Sequence, residues 1–186
     1  MERTTLATLI GIAAENGGYV PTRCAVRDGI PAARLVTLAA RGGLGRVGHG
    51  LYRIPNFPFD PNDELILATL WANDRGAISH ETALQFYELA DVNPVAIDLT
   101  IPKEYRIGRA GGGAYHVHRE DLAPKENTVV DGVRIVSVNR AISGAIEQGV
   151  GSALINQAIE TARKLGRITK KQETELKNQL IKDAHG

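Results

Sequence analysis

One cysteine, Cys24, is all that the 186 residues hold, so no disulfide can form within the chain and a reducing cytoplasm is its expected home. No run approaches the roughly 20 apolar residues of a membrane span, so no membrane partner is expected. A basic region followed by a long apolar stretch is missing at the N-terminus, and no secretory signal is expected there. Internal repeats and low-complexity tracts are also absent. What is present suits one or two packed domains, because 43% of the residues are hydrophobic. The formal net charge is only +1.

That near-zero total conceals a segregation. Residues 1–55 carry seven basic side chains (Arg3, Arg23, Arg27, Arg34, Arg41, Arg46 and Arg53) against three acidic ones, and no lysine. Residues 56–130 hold six basic against twelve acidic, and residues 131–186 nine against six. A basic end made of arginine alone suits contact with phosphates and guanine edges, which the guanidinium fork matches better than lysine does.

The local signals in this basic end define short elements. Leu6, Leu9, Ile10 and Ala13 form an apolar stripe at i, i+3, i+4 and i+7, and Gly17-Gly18 closes that helix. Thr22 can cap a short helix carrying Arg23, Cys24, Val26 and Arg27, with Cys24 as core filler. Asp28-Gly29 turns the chain, and Pro31 fits the first position of a second helix. There Leu35, Leu38 and Ala39 point inward, while Arg34, Thr37 and Arg41 share the outer face. After Gly42-Gly43, Leu44–Val47 and Leu51–Ile54 read as strands around Gly48-His49-Gly50. Two helices and a hairpin in this order predict a winged helix-turn-helix, with the second helix in the major groove. The expected DNA contacts are Arg34, Thr37 and Arg41 in the groove. Arg23 and Arg27 are expected on phosphates, and Arg46, His49 and Arg53 on the wing.

Pro55, Pro58 and Pro61 make residues 56–61 a stiff linker, so the expected domains are 1–55 and 62–186. A helix is predicted from Asn62 or Asp63 to about Ala72, where Trp71 is expected to pack. Ser79 caps a helix from His80 to about Leu89, and Val95–Ile101 alternates as a half-buried strand. Gly108–Gly113 reads as a loop, Ala114–His118 as a strand and Thr128–Val136 as a hairpin about Asp131-Gly132. Three helices follow: Asn139–Glu147, Ser152–Leu165, and Lys170–Ala184 with a Thr169/Gln172 capping box. The fold class is therefore α+β, with a mixed α/β second part and a helical C-terminal end.

Chemistry has weaker signals. His116 and His118 share one strand face, a spacing that could begin a metal or phosphoesterase site. No Cys, Asp or Glu stands at a ligand-like spacing nearby, so the pair is expected to be a solvated strand face. Gly108–Gly113 resembles a phosphate loop but lacks the GK[ST] ending and a following helix, so it is expected to be a flexible hairpin tip. His80-Glu81 lacks a nucleophile or metal to serve, and Glu81 complements the helix dipole. No catalytic residues, metal or cofactor are expected, and the protein is not expected to be an enzyme. Arg163, Lys164, Arg167, Lys170 and Lys171 cluster at the last helix junction. They could meet DNA or an acidic partner, or simply complement the helix C-terminus as a solvated surface, which is the expected reading.

Several segments in order carry a family resemblance. They are GLYRIP (Gly50–Pro55), ISHETAL (Ile78–Leu84), DLTIP (Asp98–Pro102) and VSVNRAI (Val136–Ile142). The chain resembles the AbiEi antitoxins of the abortive-infection E type, usually classed as type IV toxin–antitoxin systems. Members often carry an acidic residue soon after the arginine of the late helix; here Arg140 is followed by Ala141-Ile142-Ser143-Gly144. The resemblance implies an N-terminal domain that binds inverted repeats in its own promoter as an autorepressor. It implies a C-terminal domain that counteracts a nucleotidyltransferase-like toxin of the AbiEii type. The alternative is a stand-alone transcriptional regulator whose C-terminal domain senses a small molecule.

Overall fold

In the computed structural model, which describes residues 2–108 and 112–183, the chain opens with α1 (Glu2–Glu15). This helix buries Leu9, Ile12 and Ala13 and leaves Leu6 and Ile10 exposed. The expected stripe is thus corrected by a rotation of the helix: Ile12 replaces Leu6 and Ile10. Both sets obey helical spacing, so only the packing partners decide between them. Gly17 (φ 59°) and Gly18 (φ 91°) end α1 in the left-handed region, and a Cβ on Gly18 would meet the Phe57 ring at 2.7 Å.

A strand not read from the sequence follows, β1 (Tyr19–Pro21), and then α2 (Thr22–Arg27). Three residues ending in proline carry no periodicity to read. Pro21, not Thr22, occupies the N-cap of α2, and Pro31 is likewise the N-cap of α3 (Ala32–Ala40) rather than its first helical residue. Gly29 (φ 84°) makes the turn between these helices. Gly42 (φ 75°) and the bond from Gly43 N–H to Leu38 O (2.9 Å) close α3.

The strands β2 (Gly45–Gly48) and β3 (Leu51–Arg53) are joined by the two-residue turn His49-Gly50. β1 pairs antiparallel with the other side of β3, giving the order β1-β3-β2. Leu9, Ile12, Ala13, Val20, Ala25, Ile30, Leu35, Leu44 and Tyr52 form the core, and Cys24 packs against it as expected. The proline segment leads into α4 (Asp63–Trp71), whose first residue is tied back to this core: Tyr19 Oη–H donates to Asp63 Oδ2 at 2.8 Å, and Arg53 Nη1 to Asp63 Oδ1 at 2.6 Å.

Two compact units result, Met1–Ile66 and Leu67–Gly186. The division falls inside α4, after the proline segment. Ile66 lies against Gly17 in the first unit, where a Cβ would meet its Cδ1 at 2.8 Å.

The second unit is built on a five-stranded mixed sheet of order β6-β5-β4-β8-β7. These strands are β4 (Ala77–Ile78), β5 (Ile97–Ile101), β6 (Tyr115–Arg119), β7 (Asn127–Val130) and β8 (Val133–Val136). β5 runs parallel to β6 and antiparallel to β4, and β4 runs parallel to β8. The β7–β8 hairpin turns on Asp131 (φ 47°) and Gly132 (φ 76°), as the sequence predicts. Besides the end of α4, the described residues of this unit hold the α-helices α5 (His80–Phe86), α6 (Val138–Glu147), α7 (Ser152–Lys164) and α8 (Lys170–Asp183). The last three lie within one residue of the expected spans, the expected end at Ala184 falling outside the described residues. The capping box is present: Thr169 N–H donates to Gln172 Oε1 (2.8 Å) and Gln172 N–H to Thr169 Oγ1 (3.2 Å).

Two expectations change here. α5 stops at Phe86 rather than Leu89, because Glu88 adopts φ 54°. β5 is not half-buried: Leu99 and Ile101 face one side, Asp98 and Thr100 the other, and all four are buried. Val95, expected to open this strand, precedes it and is fully exposed. Residues 109–111 of the expected glycine-rich loop lie outside the described residues. Trp71 packs against Tyr115, with ring centroids 4.7 Å apart. The protein is α+β, and among the described residues no helix is long and apolar enough to cross a membrane.

Candidate functional site

The basic unit sorts its arginines into two groups. Arg41, Arg46 and His49 are exposed, and Arg34 and Thr37 are half-buried on α3. The Thr37 hydroxyl donates to Ala33 O at 3.0 Å within the helix. The outward face of α3 also presents Ala33 and Ala40, and Val36 at 59% exposure. By contrast, the Arg53 guanidinium is engaged inside the unit. It pairs with Asp63, reaches Gly17 O at 3.3 Å and lies over the Tyr19 ring at 4.8 Å. Burial and the Asp63 bond push the Tyr19 hydroxyl up to about 12. Arg23 is half-buried, with Nη1 and Nη2 out of contact with solvent. Arg27 is exposed and forks onto its neighbour Asp28, at 2.7 and 3.2 Å.

The basic junction of α7 and α8 is partly engaged within the second unit. Arg163 faces Glu173 at 3.5 Å, Lys171 faces Glu175 at 3.9 Å, and Arg167 donates to Tyr87 O at 2.9 Å. Lys164 and Lys170 are exposed.

The same unit assembles a constellation whose members stand far apart in sequence. On β5, Asp98 is 1% exposed and its two carboxylate oxygens have separate tasks. Oδ2 accepts from the Thr82 N–H (3.3 Å) and Oγ1 (3.2 Å) at the start of α5. Oδ1 faces His118 Nε2 at 2.8 Å, His116 Nδ1 at 3.2 Å and Gln148 Nε2 at 3.0 Å. The parallel register puts His116 beside Asp98 and His118 beside Thr100, so both imidazoles flank the carboxylate. His80 stacks on His118, with centroids 3.5 Å apart and planes 12° from parallel. Its backbone has φ 49°, and Gly144 of α6 allows the close approach: a Cβ there would lie 3.0 Å from His80 Cδ2. Ser79 sits at the N-cap of α5 without a side-chain capping bond, because its hydroxyl accepts from Thr100 Oγ1 (2.8 Å) and meets His80 Nδ1 (2.9 Å).

Electrostatics follow from this burial. Desolvation, followed by the neighbouring His118, pushes the His80 imidazole down to about 4, so it is neutral at pH 7. Burial resists the Asp98 charge, but hydrogen bonds from His118 and Thr82 outweigh it and hold its carboxyl below the ordinary carboxylate range. Asp98 is therefore an anion, and His118 Nε2–H donates to it. Beside the cluster, the buried Arg140 binds Glu147 through Nη1 (3.2 Å) and Nη2 (3.0 Å) and meets Glu120 through Nη2. Desolvation opposes its charge, yet the bonds from Glu147 and Glu120 raise it above the usual arginine value. Glu147 stands two helical turns after Arg140 on the same helix, which lets its carboxylate take both terminal nitrogens of the guanidinium. A cavity of about 260 Å³ opens here, lined by His80, His118, Arg119, Glu120, Glu147 and Gln148.

The expectation of a solvated histidine pair is corrected in part. His116 is 58% exposed, but His118 is only 19% exposed, held between Asp98 and the His80 ring. The carboxylate partner missing from local spacing comes from the neighbouring strand. Asp98, His116 and His118 bring three ligand atoms within 4.8 Å of one another, and these are the residues that could hold a metal ion. Parallel pairing of β5 with β6 creates the site, and no motif spacing encodes that. The one legible sign was the Asp98/Thr100 alternation with the SHET segment upstream.

No family model and no curated protein matches the chain. Among solved structures it is similar to the RV2827C protein from Mycobacterium tuberculosis, at 15% identity and a TM-score of 0.53. The likeness covers 93% of this chain and 71% of that one. At this identity it speaks for the fold alone.

Proposed function

We propose that the protein is a DNA-binding autorepressor and antitoxin whose N-terminal unit is a winged helix-turn-helix. The observation that carries the reading is the arrangement of α3 and the β2–β3 hairpin. The nine-residue α3 presents Ala33, Val36 and Ala40 outward, Arg41 follows at its C-cap rather than on the helix face, and the hairpin after it exposes Arg46 and His49. At about 1.5 Å per residue the helix spans roughly 13 Å, the width of a major groove. Small apolar side chains there suit thymine methyl groups, and exposed arginines suit guanine edges or phosphates. The order helix, turn, helix, hairpin supports this docking mode.

The antitoxin half of the proposal is supported by the segments GLYRIP, ISHETAL, DLTIP and VSVNRAI, which keep their order along the chain. The cognate partner is a nucleotidyltransferase-like toxin encoded beside this chain, and the site of action is the cytoplasm. Co-expression with the adjacent reading frame tests this half: restored growth supports it, and unrelieved toxicity contradicts it. Mobility shift of the protein's own upstream duplex at low salt tests the repressor half. An upstream region ignored under those conditions would contradict it.

A further inference from the structure

We propose that Asp98, His116, His118 and Gln148 form a binding site for one divalent first-row transition ion of the zinc class. A tetrahedral ion with bonds of 2.0–2.1 Å sets its ligand atoms about 3.3 Å apart. Around Asp98 Oδ1 the distances are 2.8 Å to His118 Nε2 and 3.2 Å to His116 Nδ1. The donors are two imidazole nitrogens and one carboxylate oxygen, a set that selects zinc-like ions over calcium or magnesium.

The carboxylate is prepared for the task. Thr82 holds Oδ2 and receives the Asp98 backbone N–H at 2.8 Å, so Oδ1 is aimed at the histidines. Such outer-sphere bonds orient ligands in metal sites. For His118 Nε2 to ligate the ion, the N–H it turns toward Asp98 Oδ1 must give way, and the neutral ring then carries its one proton on Nδ1.

Gln148 provides an independent observation. Its Oε1 is buried with no hydrogen-bond partner, while Nε2 sits 3.0 Å from Asp98 Oδ1 and 3.4 Å from His116 Nδ1. Exchanging the two ends of the amide, which are alike in shape, turns Nε2 outward and brings Oε1 into the ligand cluster. Oε1 then completes the fourth position. The ion would clamp β5, the edge strand β6 and the C-terminus of α6 together, and it would sit at the rim of the cavity lined by His80 and His118. This goes beyond the repressor reading and does not rest on it.

The test uses the full chain, stripped with chelator and titrated with Zn²⁺ against a chromophoric competitor, and with Co²⁺ in visible absorption. The expected result is one ion per chain, a visible Co²⁺ spectrum of low coordination number displaced by Zn²⁺, and a higher melting temperature with Zn²⁺. His116→Ala removes a largely exposed ligand, so its fold should persist by circular dichroism while Zn²⁺ affinity falls at least tenfold. Gln148→Leu should weaken binding less. No binding at tens of micromolar Zn²⁺, or equal binding by His116→Ala, overturns the proposal.

Discussion

The His80 ring stacks on the His118 ring at a centroid separation of 3.5 Å, and the two cannot both be cations at that distance without strong repulsion. His118 Nε2 faces Asp98 Oδ1 at 2.8 Å, whereas His80 is desolvated and stays neutral. Gly144 permits the approach from α6, and Ser79 fixes His80 from its own helix start.

A pH dependence follows. The folded His80 takes a proton only near pH 4, while an unfolded histidine does so near 6.5. Between those values the unfolded chain binds more protons, so acid favours unfolding. The stability is complete above pH 6.5 and falls toward pH 4, by about 3 kcal/mol at most. Unfolding midpoints from pH 7.5 to 4.5, measured in chelator, should show this slope. His80→Asn, which tolerates a positive φ, should flatten it.

Asp63 should act as a structural residue of the first unit. Asp63→Ala releases both Tyr19 and Arg53, at a cost of about 2 kcal/mol in urea unfolding. Tyr19→Phe should cost about 1 kcal/mol, and the Asp63→Ala/Arg53→Ala double variant should be less than additive. Additive losses would mean that Arg53 and Asp63 are energetically independent.

Arg140 carries a larger burden. Its side chain is 8% exposed, against 51% for Glu147 and 38% for Glu120. Arg140→Ala removes the bonds to both carboxylates, which are themselves exposed enough to be hydrated, and should cost roughly 1.5–3 kcal/mol. Thermal unfolding of the variant measures this, and a change within experimental error would remove the ion pair from the account.

The arginines of the basic unit should separate by assay. Arg41→Ala and Arg46→Ala should weaken duplex binding with stability unchanged, since both side chains are exposed. Arg53→Ala and Arg23→Ala should lower stability first, because one is paired with Asp63 and the other has its terminal nitrogens buried. Thr37→Ala should leave DNA affinity nearly intact, its hydroxyl being held by Ala33 O.

Most helices and the β7–β8 hairpin were legible in the sequence, because Gly42-Gly43, Asp131-Gly132 and the Thr169/Gln172 box are local signals. The buried face of α1 was not, since Leu6/Ile10 and Ile12 satisfy the same period and the sheet decides. β1 and β4 escaped notice because strands of three and two residues have no pattern. The histidine–aspartate cluster was hidden for a different reason. Asp98 and His118 stand 20 residues apart, and only the pairing of β5 with β6 makes them neighbours. Arg53 shows the converse: an arginine in a basic segment reads as a ligand contact until its carboxylate partner, ten residues on, is seen.

The central claim is that the first unit grips duplex DNA through α3 and the β2–β3 hairpin. Its most direct test is fluorescence anisotropy of the upstream duplex against an unrelated duplex, titrated with the full chain across a series of salt concentrations. The account predicts tighter binding to the upstream duplex, and a log–log salt slope that falls by about 0.9 for each phosphate contact removed in an Arg41→Ala/Arg46→Ala variant. An upstream duplex bound no better than the unrelated one, or a double variant with unchanged affinity and slope, would contradict it.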